Sequence, residues 1–323
     1  MKEEPKVLSR ALIATTLAER WGIDSQEIAY LPVGGGGHHW RVQGGDSSSW
    51  FVTANGLLAR GHWLERAGDA VYARTYVAYE TTRRLGLDFA LAAVPDRYGS
   101  VLCRIHSDWA LSVYPYLEGI AADEKQLVRT IAGYVGTLHA MPVPADVPTW
   151  RSELPQRGHL ERALADLHQP SWAAGPFGNP TRALLTANRT RVLGLLDRYD
   201  ELASVVDGDA EPWVLTHGEP HAGNTLPAAD GMTYLIDWDT LAFAPRERDL
   251  WQLMDTPSGP VWDAYRATSG HPRAAHPDIM EFFRLWWRLV EMGDYVRQFR
   301  SPHVGDADDN AAWKTLEAYV GEM

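Results

Sequence analysis

Cysteine is all but missing: Cys103 is the single one in 323 residues. That excludes an internal disulfide and fits a reducing compartment. Long apolar runs are missing as well. No stretch approaches the ~20 apolar residues that a membrane-spanning helix needs. The charged start, Met-Lys-Glu-Glu-Pro-Lys, has no apolar run behind it of signal-peptide length. A cytoplasmic protein with no membrane partner is expected. Basic charge is short: 30 Lys and Arg stand against 42 Asp and Glu, a net charge of −12. This speaks against duplex nucleic acid as a partner, because phosphate binding needs a basic surface. Internal repeats and low-complexity tails are absent. What remains, 45% apolar and 22% charged residues, is ordinary for a globular chain that buries a core.

The chemistry concentrates between Trp213 and Leu253. A β-rich start, Trp213 to Leu215, enters a loop that holds His217, Glu219, His221 and Asn224. Gly218, Pro220 and Gly223 take its backbone out of regular structure. A short strand at Thr225-Leu226, a polar turn, and an apolar strand from Thr233 to Ile236 read as a hairpin that delivers Asp237 and Asp239 at its end. Glu219, Asp237, Asp239 and the amide oxygen of Asn224 are hard oxygen ligands. Such a set suits Mg²⁺, which takes one or two protein oxygens and fills its octahedron with water and phosphate. A hairpin that returns Asp237 beside the Asn224 loop would put both oxygens on one metal. Glu219 is then left for a substrate hydroxyl, as phosphoryl transfer requires. A competing reading makes His217, Glu219 and His221 the metal ligands, on one face of an extended strand. The glycines and proline argue against a regular strand there.

The run His217-Gly218-Glu219-Pro220-His221-Ala222-Gly223-Asn224, followed by Ile236-Asp237-Trp238-Asp239 and by Arg248-Asp249-Leu250-Trp251, resembles the signature of the aminoglycoside phosphotransferase family. These are small-molecule antibiotic kinases with a protein-kinase-like fold. The resemblance implies an α+β, two-lobed architecture: a β-rich N-lobe over residues 1–113, a hinge at 114–119 and a mainly helical C-lobe over 120–323. It implies Asn224 and Asp237 as metal ligands, with Asp239 as a second-metal ligand. Asp249 and His217 would support the loop. It also implies ATP or GTP as co-substrate with Mg²⁺, and a hydroxyl of an aminoglycoside, aminocyclitol or nucleoside antibiotic as acceptor.

Upstream, a helix is expected over Ser9–Trp21 from the spacing of Leu8, Leu12, Ile13 and Leu17. Extended segments follow at Ile28–Val33, His38–Val42 and Trp50–Ala54. Gly34, Gly35, Gly36 and Gly37 lie between the first two, where backbone N–H groups can approach an anion. Nucleotide binding is placed on Gly35, Gly36, Gly37, His38 and Arg41, and on the hinge residues Tyr114 and Tyr116. A helix over Ala70–Leu85 carries Glu80. Strands are expected at Leu91–Val94, Val101–Ile105 and Trp109–Val113. Helices are expected at Glu124–Met141 (with Leu138-His139 as packing residues), Leu160–His168, Pro180–Val205, Val261–Thr268, Asp278–Phe299 and Ala311–Gly321. Acidic residues of the penultimate helix, Glu281, Glu291 and Asp294, together with His221, are the candidate substrate contacts.

Two departures from the family pattern stand out. Glu219 replaces its aspartate, with the same carboxylate on a longer stem. The third strand, Trp50–Ala54, holds Thr53 where these kinases carry a phosphate-gripping lysine. The only lysines before the loop are Lys2, Lys6 and Lys125. An inactive nucleotide-binding relative is the rival expectation.

Overall fold

The computed structural model describes residues 3–34, 37–57 and 68–321. Gly35 and Gly36, two of the expected nucleotide contacts, lie outside the described residues. In chain order the elements are α1 (Arg10–Arg20), β1 (Ser25–Leu31), β2 (Gly37–Gly44), β3 (Ser49–Gly56), α2 (Asp69–Leu85), β4 (Cys103–His106) and β5 (Trp109–Pro115). Next come α3 (Glu124–His139), α4 (Arg157–Ala165), α5 (Gly178–Ala187) and α6 (Arg189–Gly208). The short strands β6 (Val214–Thr216), β7 (Thr225–Pro227), β8 (Thr233–Leu235) and β9 (Ala242–Ala244) follow. The chain closes with α7 (Glu247–Leu250), α8 (Gly259–Ser269), α9 (Pro277–Arg300) and α10 (Ala307–Gly321). They form two compact units. One contains the described residues up to 57, 68–150 and 211–275, and the other 151–210 and 276–321.

In the first unit an antiparallel sheet runs in the order β1-β2-β3-β5-β4. The strands alternate, so each presents one apolar face. Trp40, Val42, Val52, Ala54, Leu111 and Val113 pack on that face against Ile13 and Leu17 of α1. Ser9 caps α1 by accepting from the Leu12 N–H at 3.2 Å. A second core lies beneath the functional stretch. Ala78 of α2, Leu138 of α3, Leu215 of β6, Leu235 of β8, Trp238 and Leu241 meet there. The elements carrying the chemistry therefore share one apolar foundation.

In the second unit α9 is the central helix. It buries Phe282, Phe283, Trp286, Leu289 and Val290. Tyr199 of α6 packs on Phe282 with ring centroids 5.0 Å apart. No helix of the described residues is long and apolar enough to cross a membrane.

Three expectations change. Leu91–Val94 is not a strand. It makes single backbone bonds, Leu91 N–H to Leu235 O at 3.1 Å and Val94 N–H to Val113 O at 2.7 Å, and Pro95 has no N–H to extend a ladder. The long helix over Pro180–Val205 is two helices, α5 and α6. The break falls at Asn188, whose side-chain amide bonds back to Leu184 O at 2.9 Å. Asparagine competes with the helix ladder in this way. Leu160–His168 is helical only to Ala165 and then tightens into a 3-10 turn.

Helices α3 and α8 cross at Gly136. A β-carbon there would stand 2.5 Å from Tyr265 O and collide with the Thr268 hydroxyl, whereas Gly133 has open space. Gly136→Ala should therefore lower stability by about 2 kcal/mol through overpacking. Gly133→Ala should raise it by about 0.5 kcal/mol through helix propensity. Urea unfolding of both variants checks this; equal effects at the two positions would remove the close crossing as the cause.

Candidate active site

The loop after β6 is held from below by one carboxylate. Asp249, fully buried on α7, accepts the His217 N–H at 2.8 Å on Oδ2 and the Gly218 N–H at 2.6 Å on Oδ1. His139 Nε2 of α3 donates to the same Oδ2 at 3.1 Å, and its Nδ1 meets the Tyr265 hydroxyl at 3.1 Å. Burial opposes ionisation of Asp249. The hydrogen bond from His139 and the charge of Arg248 outweigh it and hold the carboxyl below its usual range. Asp249 thus supports the loop through two backbone amides. His139, read from sequence as a packing residue, is part of the same support.

His217 ties the loop to the hairpin. Its Nε2 donates to Ile236 O at 3.0 Å, and its Nδ1 accepts the Glu219 N–H at 3.2 Å. Burial depresses its pKa to about 4, against the raising effect of the Asp249 and Asp237 charges. The imidazole is therefore neutral, and both ring nitrogens are engaged. This overturns the reading of His217, Glu219 and His221 as a metal set. Among the described residues no three His, Cys, Asp or Glu side chains converge on a point that could hold a metal ion.

The remaining bonds close a ring. Glu219 O accepts the His221 N–H at 2.9 Å and the Asn224 side-chain amide at 3.0 Å, and the Ile236 N–H donates to Asn224 O at 2.9 Å. Asn224 spends its Nδ2 inside the loop, and its Oδ1 is the side-chain acceptor that remains to it. The Ile236–Asn224 bond brings Asp237 next to Asn224. Asp237 is exposed and sits in the left-handed region, φ 63° and ψ 60°. That conformation costs a non-glycine residue about 1 kcal/mol and gathers at functional sites. Asp239, in the 3-10 turn Trp238–Thr240, is only 3% exposed. The two carboxylates therefore part company: Asp237 faces solvent and Asp239 turns inward. The two-oxygen donor set of Asn224 and Asp237 fits a hard divalent cation such as Mg²⁺.

Arg248 was not singled out by the sequence, although it adjoins Asp249. Its guanidinium is buried under Gly218, where it donates to Thr216 Oγ1 at 2.8 Å and to Thr240 O at 2.9 Å. Gly218 has φ +102°, and a β-carbon there would lie 2.5 Å from Arg248 Nη1. Glycine is required on both counts. Burial lowers the Arg248 pKa to about 10, and Glu219 is among the charges that act on it. Gln252 adds a bond to Gly218 O at 2.8 Å.

On the sheet, residues paired across strands share a face. Arg41, Phe51 and Tyr114 are in register, as are His39, Thr53 and Ser112. Arg41 is on this face, with its guanidinium 4.3 Å from the Tyr116 ring centroid and 3.7 Å from Glu118. His38 is not. It is buried on the opposite face, bonded to the Tyr30 hydroxyl at 3.0 Å and packed against Trp109. Alternation of the strand puts His39, opposite Thr53, on the face of Arg41 instead. Glu80 pairs with Arg83 of its own helix at 2.6 Å. Helix α2 is tied to β3 by neutral groups instead: Tyr79 donates to Asn55 Oδ1 at 2.8 Å, and Asn55 Nδ2 donates to Ser112 Oγ at 3.1 Å. Tyr114 stands edge-on to Tyr79, with centroids 6.2 Å apart. In the second unit, Glu281 is gripped by Arg198 at 2.8 and 2.9 Å, Asp294 pairs with Arg297 at 2.8 Å, and Glu291 lies beside Tyr295.

Asp249→Asn keeps the shape but sets an amide NH₂ against a loop N–H. It should cost about 3 kcal/mol, because it removes the charge from a buried hydrogen-bonded network. His139→Ala, which removes one of three donors, should cost less. Denaturation midpoints of the two variants test this order; the reverse order would mean that His139, not Asp249, holds the loop.

Residues 41–283 match the model of the phosphotransferase enzyme family, APH. Protein StrN of Streptomyces griseus is 33% identical over an alignment of 263 residues that covers 76% of each chain. The structure of a spectinomycin phosphotransferase in complex with ADP and spectinomycin aligns over 98% of this chain and 94% of its own, with a TM-score of 0.69 and 16% identity. An amicoumacin kinase in complex with AMP-PNP and Ca²⁺ aligns over the same shares, with a TM-score of 0.57 and 12% identity. At such identities the two structures speak for the fold, and the matched family speaks for the chemistry. The chain belongs to the APH phosphotransferase family: it is a phosphotransferase with an α+β, protein-kinase-like fold.

Proposed function

We propose that this enzyme transfers the γ-phosphoryl group of ATP or GTP, with Mg²⁺, to a hydroxyl of a small polar antibiotic of the aminoglycoside, aminocyclitol or nucleoside type. One observation carries the reading. The Ile236–Asn224 backbone bond, 2.9 Å, sets an amide oxygen beside an exposed carboxylate that is held in a left-handed conformation. Neither feature is needed to close a hairpin. The nucleotides bound by the spectinomycin and amicoumacin enzymes and the antibiotic acted on by each favour the same pair of substrates.

Asn224 and Asp237 would hold the metal, which supplies charge neutralisation on the phosphates. Glu219 orients the acceptor hydroxyl and takes its proton. Phosphoryl transfer passes through a loose transition state, so positioning the hydroxyl matters more than early deprotonation, and a glutamate serves in place of aspartate. Beneath the loop, Glu219 is among the charges that act on Arg248.

The test begins with thermal stability in ATP or GTP, with and without Mg²⁺. At about a hundred times its Kd a nucleotide stabilises by roughly 2.7 kcal/mol. A Mg²⁺-dependent shift in the wild type that Asp237→Ala abolishes is the expected result. A shift indifferent to both Mg²⁺ and Asp237 would sink the metal assignment. Glu219→Gln should lower kcat for transfer to the acceptor by about a hundredfold or more, with the nucleotide KM nearly unchanged. Parallel losses in kcat and nucleotide affinity would assign Glu219 a structural role.

A further inference from the structure

Glu219, the carboxylate assigned to the acceptor hydroxyl, follows a glycine. Gly218 has φ +102°, and the lack of a β-carbon leaves its dihedrals far freer than those of other residues. Something besides local sterics must therefore set the peptide that joins it to Glu219. Both polar groups of that peptide are held by side chains. Its N–H, that of Glu219, donates to His217 Nδ1 at 3.2 Å, and its carbonyl, Gly218 O, accepts from Gln252 Nε2 at 2.8 Å. Gln252 is half-buried in the turn after α7, with its own N–H 3.4 Å from Asp249 O. Residues three apart on a helical turn share a face. Asp249 thus takes the amides of His217 and Gly218, and Gln252 takes the carbonyl that comes next. The far end of the Gln252 side chain is idle. A carbonyl only accepts, so the group facing Gly218 O is the NH₂, and Oε1 points away. Among the described residues, Oε1 is buried without a hydrogen-bond partner. An acceptor left in that state costs stability, and an apolar side chain of similar size would pack there without the cost.

We infer that Gln252 is a positioning residue for phosphoryl transfer: its bond to Gly218 O sets the direction in which the backbone presents Glu219 to the acceptor. The inference rests on the role proposed above for Glu219. The stem of Glu219 is one methylene longer than that of the family's aspartate and has one more rotatable bond, so an error in its backbone is carried further. Reacting groups tolerate little error, and a misplacement of about 1 Å costs roughly a hundredfold in rate. Without Gln252 the peptide would be held at its N–H alone, by the longer of the two bonds. The pairing of Asn224 with Asp237 is set by a separate backbone bond, Ile236 N–H to Asn224 O at 2.9 Å. Loss of the Gln252 bond therefore acts on the acceptor side of the reaction and leaves the metal end as it is. In stability the residue gives one bond and leaves one acceptor unmet, so its removal costs the fold little.

The experiment measures transfer from ATP or GTP with Mg²⁺ to a panel of aminoglycoside, aminocyclitol and nucleoside antibiotics, together with urea midpoints. Gln252→Leu should lower kcat about tenfold or more, with the nucleotide KM and the urea midpoint at wild-type values. Gln252→Glu sets a carboxylate against Gly218 O at neutral pH and should lose as much. Protonation gives that side chain a donor again, so the ratio of variant to wild-type kcat should climb as the pH falls through the carboxyl's titration range. In Gln252→Leu, a midpoint that falls in step with kcat would make Gln252 a structural residue and overturn the inference. Wild-type kcat in Gln252→Leu would overturn it too, as would a ratio indifferent to pH in Gln252→Glu. If Glu219→Gln loses turnover and Gln252→Leu does not, the role of Glu219 stands and this inference alone fails. A wild type that transfers to none of the panel would remove the phosphotransfer reading first, and this inference with it.

Discussion

The buried carboxylate of Asp249 is the constraint on which the loop depends. Taking a carboxylate out of water costs several kcal/mol, and only hydrogen bonds to its ionised form offset that cost. Three donors meet it: two consecutive backbone amides and one imidazole. Charge-assisted bonds contribute roughly 2 kcal/mol each, enough to keep the group ionised and the His217–Gly218 peptide in one orientation. From that peptide the rest follows in sequence. His217 reaches Ile236, Ile236 reaches Asn224, and Asn224 reaches back to Glu219. The loop and the hairpin are thereby fixed by bonds that each end on a backbone group.

A second buried charge balances the first. Arg248 lies under the loop with its guanidinium against Gly218, and burial alone would make it a liability. It is tolerable because Asp249 is adjacent and Thr216 and Thr240 accept from it. The arrangement explains why the loop needs glycine at 218 and threonine at 240. Thr240 has a double role: its carbonyl accepts from Arg248, and its hydroxyl donates to His217 O at 2.7 Å. The half-buried Glu219 sits within the field of that cation.

The loop and hairpin were legible because their chemistry is local. Gly218, Pro220 and Gly223 announce irregular backbone, and the short apolar strand before Asp237 gives the return path. What the sequence could not tell is which way neighbouring side chains point. His38 and His39 are adjacent and chemically identical. Only the register of β2 against β1 and β3 sends His38 into the aromatic core and His39 to the opposite face. Helix boundaries slipped where a single asparagine, Asn188, found a competing bond. Arg248 was passed over because an arginine beside an acidic residue usually reads as a solvated pair; its burial arises from packing by segments far apart in the chain. Asn55 was passed over for the same reason, since its partners come from α2 and β5.

Neutral groups on the lysine-less face alter its physics. An ammonium ion gripping phosphates works at longer range and needs a carboxylate to hold it in place. The His39 ring is held by the Thr53 hydroxyl and by stacking on Phe51. Likewise, the Asn55–Tyr79–Ser112 network is buried, with Asn55 at 1% exposure and Ser112 at 0%. An ion pair there would carry a large desolvation cost, whereas matched neutral donors and acceptors carry little once all are satisfied. Helix α2 packs on the Trp238–Thr240 turn through the core that contains Ala78 and Trp238. A rigid neutral latch on this helix therefore reaches the residue next to Asp237 through packed side chains.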